Sequence, residues 1–147
     1  MSISIRPYQS KDRKRLTEVF NLNVPKHFAA EELEDLIGYL DKLPETYYCI
    51  EVDEVIVGGV GCVVEEDLSG SVTWIFMHPD YAGQGLGRAA VGHCLKILKK
   101  DERVKVFKAR TSQTAYQFFE KLGFQVTSTQ KDYWAEGLDL YIVEMVT

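Results

Sequence analysis

Between Tyr81 and Arg88 the chain reads Tyr-Ala-Gly-Gln-Gly-Leu-Gly-Arg, and this run holds its clearest chemistry. Gly83, Gly85 and Gly87 alternate there, just after an apolar run, residues 72–77, that His78-Pro79-Asp80 brings to a stop. Leu86, Ala90, Cys94 and Ile97 then recur at helical spacing, with Arg88, Lys96, Lys99 and Arg103 on the opposite face. The glycines therefore join a buried strand to the N-terminus of an amphipathic helix. Glycine lets a backbone approach a ligand closely, and the free amides and dipole of a helix start favour an anion. The chemistry expected is phosphate binding by Gly83, Gln84, Gly85, Leu86, Gly87 and Arg88.

The spacing narrows the ligand. No Lys-Ser or Lys-Thr follows the glycines, so the Walker pattern is absent. Gly85, Gly87 and Ala90 match a dinucleotide fingerprint, which requires an acidic residue about 20 positions on. Lys105, Lys108 and Arg110 occupy that region instead. A plain helix-starting turn explains one glycine but not three in alternation.

Other reactive side chains are weaker signals. Cys49, Cys62 and Cys94 lie in apolar surroundings without metal spacing and read as reduced core thiols of a cytoplasmic protein. His78 falls at a strand end, His93 on the polar side of its helix and His27 in a variable segment; solvent-facing or packing roles are the simpler reading. Trp74, Trp134, Phe118 and Phe119 read as core rather than as a cage for a substrate.

The elements that must position the glycine run follow from periodicity. Residues 2–6 alternate as a first strand, ended by Pro7. Ser10 is placed to cap a helix reaching Phe20, with Leu16, Val19 and Phe20 facing inward. A second helix over residues 29–43 sets Leu33, Leu36, Ile37 and Leu40 on one side, and Pro44 ends it. Residues 47–52 and 55–64 form a hairpin across Asp53-Glu54, and a turn over 67–71 leads to the strand at 72–77. Gly58, Gly59 and Gly61 mark a bulge or a close neighbour. Residues 104–111 are a strand, 112–122 a helix, and 124–130 with 138–146 a closing pair. The order β-α-α-β-β-β-α-β-α-β-β predicts an α/β (α+β) fold: a mixed, mainly antiparallel sheet of about seven strands with helices on both faces.

At 147 residues the chain reads as one domain, 1–147, able to bury a core without disulfides or metal. A net charge of −5 argues against a nucleic-acid partner. No signal peptide or apolar run of membrane-spanning length is evident, so no membrane partner is expected. Between residues 31 and 67 stand twelve acids and one base, Lys42, while bases gather from 88 to 110. Solvated helix and hairpin faces explain this, and so does a field drawing a cationic amine to one side and a polyphosphate to the other.

At the glycine run the chain resembles the GCN5-related N-acetyltransferase (GNAT) family, whose acyl-CoA loop follows a strand ending in a Val-x-Pro-like step; Met77-His78-Pro79 and Gly83-Gln84-Gly85-Leu86-Gly87 stand at those places. A second signature, a helix ending in Tyr-Glu-Lys-Leu-Gly-Phe, is matched by Ala115 and by Phe119-Glu120-Lys121-Leu122-Gly123-Phe124. The resemblance covers nearly the whole chain and is weakest over residues 21–43. It implies acetyl-CoA as cosubstrate and no metal. It also implies an amine acceptor, small molecule or protein, and a monomer or homodimer. The two strands preceding the glycine-containing helices should run parallel and splay, with the pantetheine arm against the backbone of Phe76 and Met77. The Met77 amide is then the oxyanion donor.

The chain departs from the family at Ala82, where Gln or Arg is usual, and at Ser112, where an Asn usually contacts the pantetheine. Phe119 stands where a proton-donating Tyr is frequent, so its ring keeps only a cofactor contact. Tyr116 and Tyr133 are the candidate replacements for that acid. The strand at 72–76 lacks the family's frequent carboxylate, leaving Glu32, Glu65 and Glu66 as candidate bases. The implied activity is direct acetyl transfer to a primary amine; the alternative is a CoA-binding regulator without turnover.

Overall fold

Short runs rich in β-branched and aromatic residues make the strands, and 3.6-residue periodicity the helices, in the order the sequence predicts. The computed structural model describes residues 2–147. Its strands are β1 (Ile3–Pro7), β2 (Tyr47–Val52), β3 (Val55–Val64), β4 (Gly70–Met77), β5 (Val106–Thr111), β6 (Gln125–Ala135) and β7 (Leu138–Val146). Its helices are α1 (Arg13–Asn21), α2 (Glu32–Lys42), α3 (Leu86–Leu98) and α4 (Tyr116–Lys121). One seven-stranded sheet runs β1-β2-β3-β4-β5-β7-β6. Every neighbouring pair is antiparallel except β4–β5, which is parallel.

Helices cover both faces and divide the core in two. On one face Leu16, Val19 and Phe20 of α1 and Leu36 and Leu40 of α2 pack with Tyr47, Cys49, Ile56 and Phe76. On the other, Leu86, Ala90, Cys94 and Leu98 of α3 and Phe119 of α4 pack with Ile50, Val57, Val60, Val72 and Phe107. Each such large side chain contributes about 1.5–3 kcal/mol by leaving water. The three cysteines are buried free thiols, Cys49 and Cys62 on strands and Cys94 on α3.

The β2–β3 hairpin turns at Asp53 and Glu54, whose φ of 49° and 70° suit a two-residue turn that follows the sheet twist. The glycines of β3 admit neighbours. A Cβ at Gly59 would overlap the Tyr47 ring, and one at Gly61 would strike Thr73 and the Tyr39 hydroxyl. Opposite them, β4 carries a bulge: Trp74 and Ile75 lie between the Gly61–Thr73 and Gly59–Phe76 pairs, and Trp74 has φ of 46°. The buried Tyr47 hydroxyl donates to the Trp74 carbonyl at 2.7 Å and holds the bulge in place. The extra residue reverses the facing of β4, so Val72 belongs to the α3 core but Trp74 and Phe76 to the α1–α2 core.

Several boundaries differ from the sequence reading. Ser10 opens a short 3₁₀ turn rather than capping α1; Gln9 caps that turn, its amide donating to Asp12 Oδ2 at 2.8 Å, and Asp12 is the N-cap residue of α1. Helix α2 begins at Glu32, because the Glu32 carboxylate folds back onto the Ala29 amide at 2.7 Å and makes residues 29–31 a turn. Helix α4 starts at Tyr116 instead of 112, since Ser112 to Ala115 form a side-chain-braced turn. Strand β6 continues to Ala135, which puts Tyr133 on a strand and not in a loop.

Candidate functional site

β4 ends in a 3₁₀ turn, Pro79–Tyr81, in which His78 Nδ1 accepts the Asp80 amide at 3.1 Å and Tyr81 sets its ring edge-on to the imidazole. Gly83 and Gly85 follow with φ of 78° and 80°, which turn the chain into α3. The first helical bond runs from the Ala89 amide to the Gly85 carbonyl. The amides of Leu86, Gly87 and Arg88 therefore have no partner within the helix. Residues 82–85 and Arg88 are exposed, while Leu86 is buried and fixes the helix start against the sheet. Gly87 has a separate role: its missing side chain lets the Phe118 ring of α4 approach, and a Cβ there would lie 2.8 Å from that ring.

Beside this cradle the sheet opens. β4 and β5 pair only at Gly70–Phe107, Ser71–Lys108 and Val72–Ala109. Past the Trp74 bulge they make no further pair. The His78 amide donates to the Val57 carbonyl at 2.7 Å, and Met77 stands opposite Gly58. That pattern makes Met77 a non-hydrogen-bonded pair with β3, so its own N–H and C=O face away, toward the open side. The adjacent Phe76 points its backbone groups at β3 and its ring into the α1–α2 core. Met77, not Phe76, offers backbone to the gap.

Three segments rim the opening. The loop after α1 is anchored on the β4 side by Asn23, a buried side chain whose Nδ2 donates to the carbonyls of Val19 at 3.1 Å and Met77 at 3.0 Å. Its far end reaches the turn after β5, where His27 Nδ1 lies 2.7 Å from Thr114 Oγ1. The Ser112 hydroxyl, buried at the end of β5, lies 2.7 Å from the same Thr114 oxygen. Gln113, between them, holds the β6–β7 hairpin by donating to the Gly137 carbonyl at 2.6 Å and accepting the Asp139 amide at 2.8 Å. Trp134 Nε1 donates to the Thr111 carbonyl at 3.1 Å. Under the loop, Phe28 stacks on Trp74 with ring centroids 6.2 Å apart.

The other sequence candidates are placed as follows. Tyr116 stacks on Tyr141 at 4.5 Å, and Tyr133 is 45% exposed against Trp134. Neither hydroxyl has a hydrogen-bond partner among the described residues. Phe119 is buried between Phe118 and Phe124. Glu32 is buried on the Ala29 amide, and burial raises its pKa from the ordinary glutamate value. Glu65 and Glu66 line a cavity of about 380 Å³ with Ser71, Lys108 and Arg110, at the start of β4. Seven residues of strand, about 23 Å, separate that end from Met77, so these two acids are not bases at the gap. His93 meets Tyr48 at 4.6 Å, and burial followed by Lys96 and Lys100 lowers its pKa. Asn23, Gln113 and Thr114 escaped the sequence reading, because their partners are remote in the chain; only the position of Asn23 just past a helix end hinted at a capping role.

The model of the Acetyltransferase (GNAT) family matches residues 13–124. No curated protein sequence matches the chain. Among solved structures, Ard1 from Thermoplasma volcanium superposes with a TM-score of 0.84 at 13% identity, over 100% of this chain and 99% of that one. The ribosomal-protein-S18-alanine N-acetyltransferase from Escherichia coli gives 0.77 at 20% identity, over 99% and 94%. The protein yncA from Salmonella typhimurium, with its cofactor acetyl-CoA, gives 0.75 at 19%, over 99% and 94%. At these identities the likeness is one of fold. With the family model spanning the glycine cradle and the strands that splay beside it, the chain belongs to the GNAT family of acetyltransferases.

Proposed function

We propose that this protein is a cytoplasmic N-acetyltransferase that moves an acetyl group from acetyl-CoA to a primary amine by direct attack on the thioester. The observation that carries the reading is the Met77 N–H, turned from β3 into a gap whose neighbouring helix start presents unpaired amides. The amides of residues 83–88 and the Arg88 guanidinium suit the pyrophosphate, as charge-assisted donors at a helix N-terminus. The gap beside Met77 suits an amide-bearing arm laid along a strand edge. The Met77 N–H suits the charge that develops on the thioester oxygen during attack.

The amine would enter from the side rimmed by the α1–α2 loop and the β6–β7 hairpin. Named neighbours acetylate a ribosomal protein and supply no substrate for this chain by themselves, so protein and small-molecule amines both remain in the test. A second reading, a CoA-binding regulator without turnover, draws on the buried Phe119 and the lack of a carboxylate between Val72 and Phe76. Free-thiol release from acetyl-CoA across a panel of small amines and peptide N-termini decides between them. Release with any amine supports the transferase; CoA binding without release from any amine overturns it.

A further inference from the structure

The family's frequent proton donor is replaced here by the buried ring of Phe119, and β4 offers no carboxylate. Proton transfer is then left to solvent or to other groups at the gap. Three side chains at its rim already touch in series: His27 Nδ1 to Thr114 Oγ1 at 2.7 Å, and Thr114 Oγ1 to Ser112 Oγ at 2.7 Å. The series crosses from the loop pinned to the Met77 carbonyl by Asn23 to the buried Ser112 just past the end of β5. We propose that His27, Thr114 and Ser112 form a proton relay that takes the proton from the acceptor amine and delivers one to the departing thiolate. This rests on the transferase reading above.

The chemistry balances without any further reactant. The neutral amine attacks the thioester carbon, forming a C–N bond, and the C–S bond then breaks with its electron pair on sulfur. The amine gives a proton to His27 Nε2, which has no partner among the described residues. The Nδ1 proton passes to Thr114 Oγ1, the Thr114 proton to Ser112 Oγ, and the Ser112 proton to the thiolate. Each proton moves one place, the amine loses one and sulfur gains one; exchange with water resets the imidazole tautomer. Neutral imidazole is the competent form. Burial, and then Lys26, lower the His27 pKa, which favours the neutral ring. Lys26 is the charge that acts on the ring; the turn packed against it supplies Ser112, Gln113 and Thr114, none of which titrates in this range.

Three variants separate a relay from a simple latch. Thr114→Val keeps the shape and removes the hydroxyl, whereas Thr114→Ser retains it. His27→Gln keeps a hydrogen-bonding group toward Thr114 but cannot take a proton at neutral pH. With an amine that the unmodified protein acetylates, Thr114→Val and His27→Gln should each lower kcat about 100-fold. Acetyl-CoA affinity by calorimetry should not change, and Thr114→Ser should recover most of the rate. The unmodified protein should gain activity as pH rises through the His27 pKa, read by imidazole NMR, and His27→Gln should lack that limb. Normal kcat in Thr114→Val and in His27→Gln overturns the relay while leaving the transferase intact. A comparable loss in Tyr133→Phe or Tyr116→Phe, with Thr114→Val unaffected, returns the acid to a tyrosine and likewise overturns it. If the unmodified protein binds CoA and acetylates no amine, the transferase reading falls and the relay with it.

Discussion

Gly83 and Gly85 adopt positive φ with open space where a Cβ would stand, so at these positions glycine is there for its backbone conformation and not for room. Gly85→Asp adds about 1–2 kcal/mol of backbone strain and a negative charge in the proposed pyrophosphate cradle. It should remain folded by circular dichroism and lose CoA binding by calorimetry. Normal CoA affinity in the folded variant would remove the cradle. Arg88→Ala should weaken CoA binding by about 1–3 kcal/mol. A different residue-scale device holds the first strand. Asp12 is buried and accepts both Arg6 terminal nitrogens, at 2.8 and 3.0 Å, together with the Gln9 amide. The Arg6 hydrogen bonds, against a burial cost, depress the Asp12 pKa, and burial with the Asp12 charge pushes the Cys49 thiol up to about 12. A depressed carboxylate stabilises the fold above its unfolded pKa and loses that contribution as pH falls through the folded one. Asp12→Asn should therefore cost about 1–3 kcal/mol in urea unfolding at neutral pH, allowing for the partial exposure of Arg6. The difference from the unmodified protein should shrink in acid.

At the scale of elements, the gap exists because β4 bends. Its bulge puts two residues opposite one on β3, and the bent strand can no longer follow β5 beyond Val72. Tyr47 reaches the Trp74 carbonyl only because Gly59 and Gly61 let its ring lie flat on the sheet. Gly59→Ala should therefore act on both stability and binding. The new methyl displaces Tyr47, a cost of about 1–3 kcal/mol for overpacking, and releases the bulge. Denaturant unfolding should report the first effect and calorimetry a weakened CoA affinity. Full CoA affinity in a destabilised Gly59→Ala variant would show that the bulge does not shape the gap.

At the scale of the molecule, the two helical layers form separate cores joined only through the sheet, and the gap is where the sheet between them is least complete. A ligand that fills it stabilises the whole fold by linkage. CoA at about 100 times its Kd should add about 2.7 kcal/mol and raise Tm by about 5–10 °C. NAD and ATP at equal concentration should leave Tm unchanged, since the acidic residue of the dinucleotide fingerprint and the Walker lysine are both missing. A rise with NAD equal to that with CoA would revive the dinucleotide reading.

The sequence by itself determined the element order, the inward faces of α1 and α2, the Asp53-Glu54 hairpin and the strand–glycine–helix junction, because each rests on residues adjacent in the chain. Its largely apolar run at Val72 to Met77 hid the facing reversal at Trp74, since a run whose one polar residue is Thr73 carries no sustained alternation to read. The starts of α2 and α4 were obscured for another reason: Glu32 and Ser112 bond back to nearby backbone and compete with helix. Which backbone faces the gap, Met77 and not Phe76, was decided only by the register of β3 against β4. The rim was decided only by contacts across the fold, with His27 and Thr114 lying 87 positions apart and Asn23 and Met77 54. No local pattern encodes such pairs, because they form only when the loop after α1 folds over the opening that the bent strand leaves.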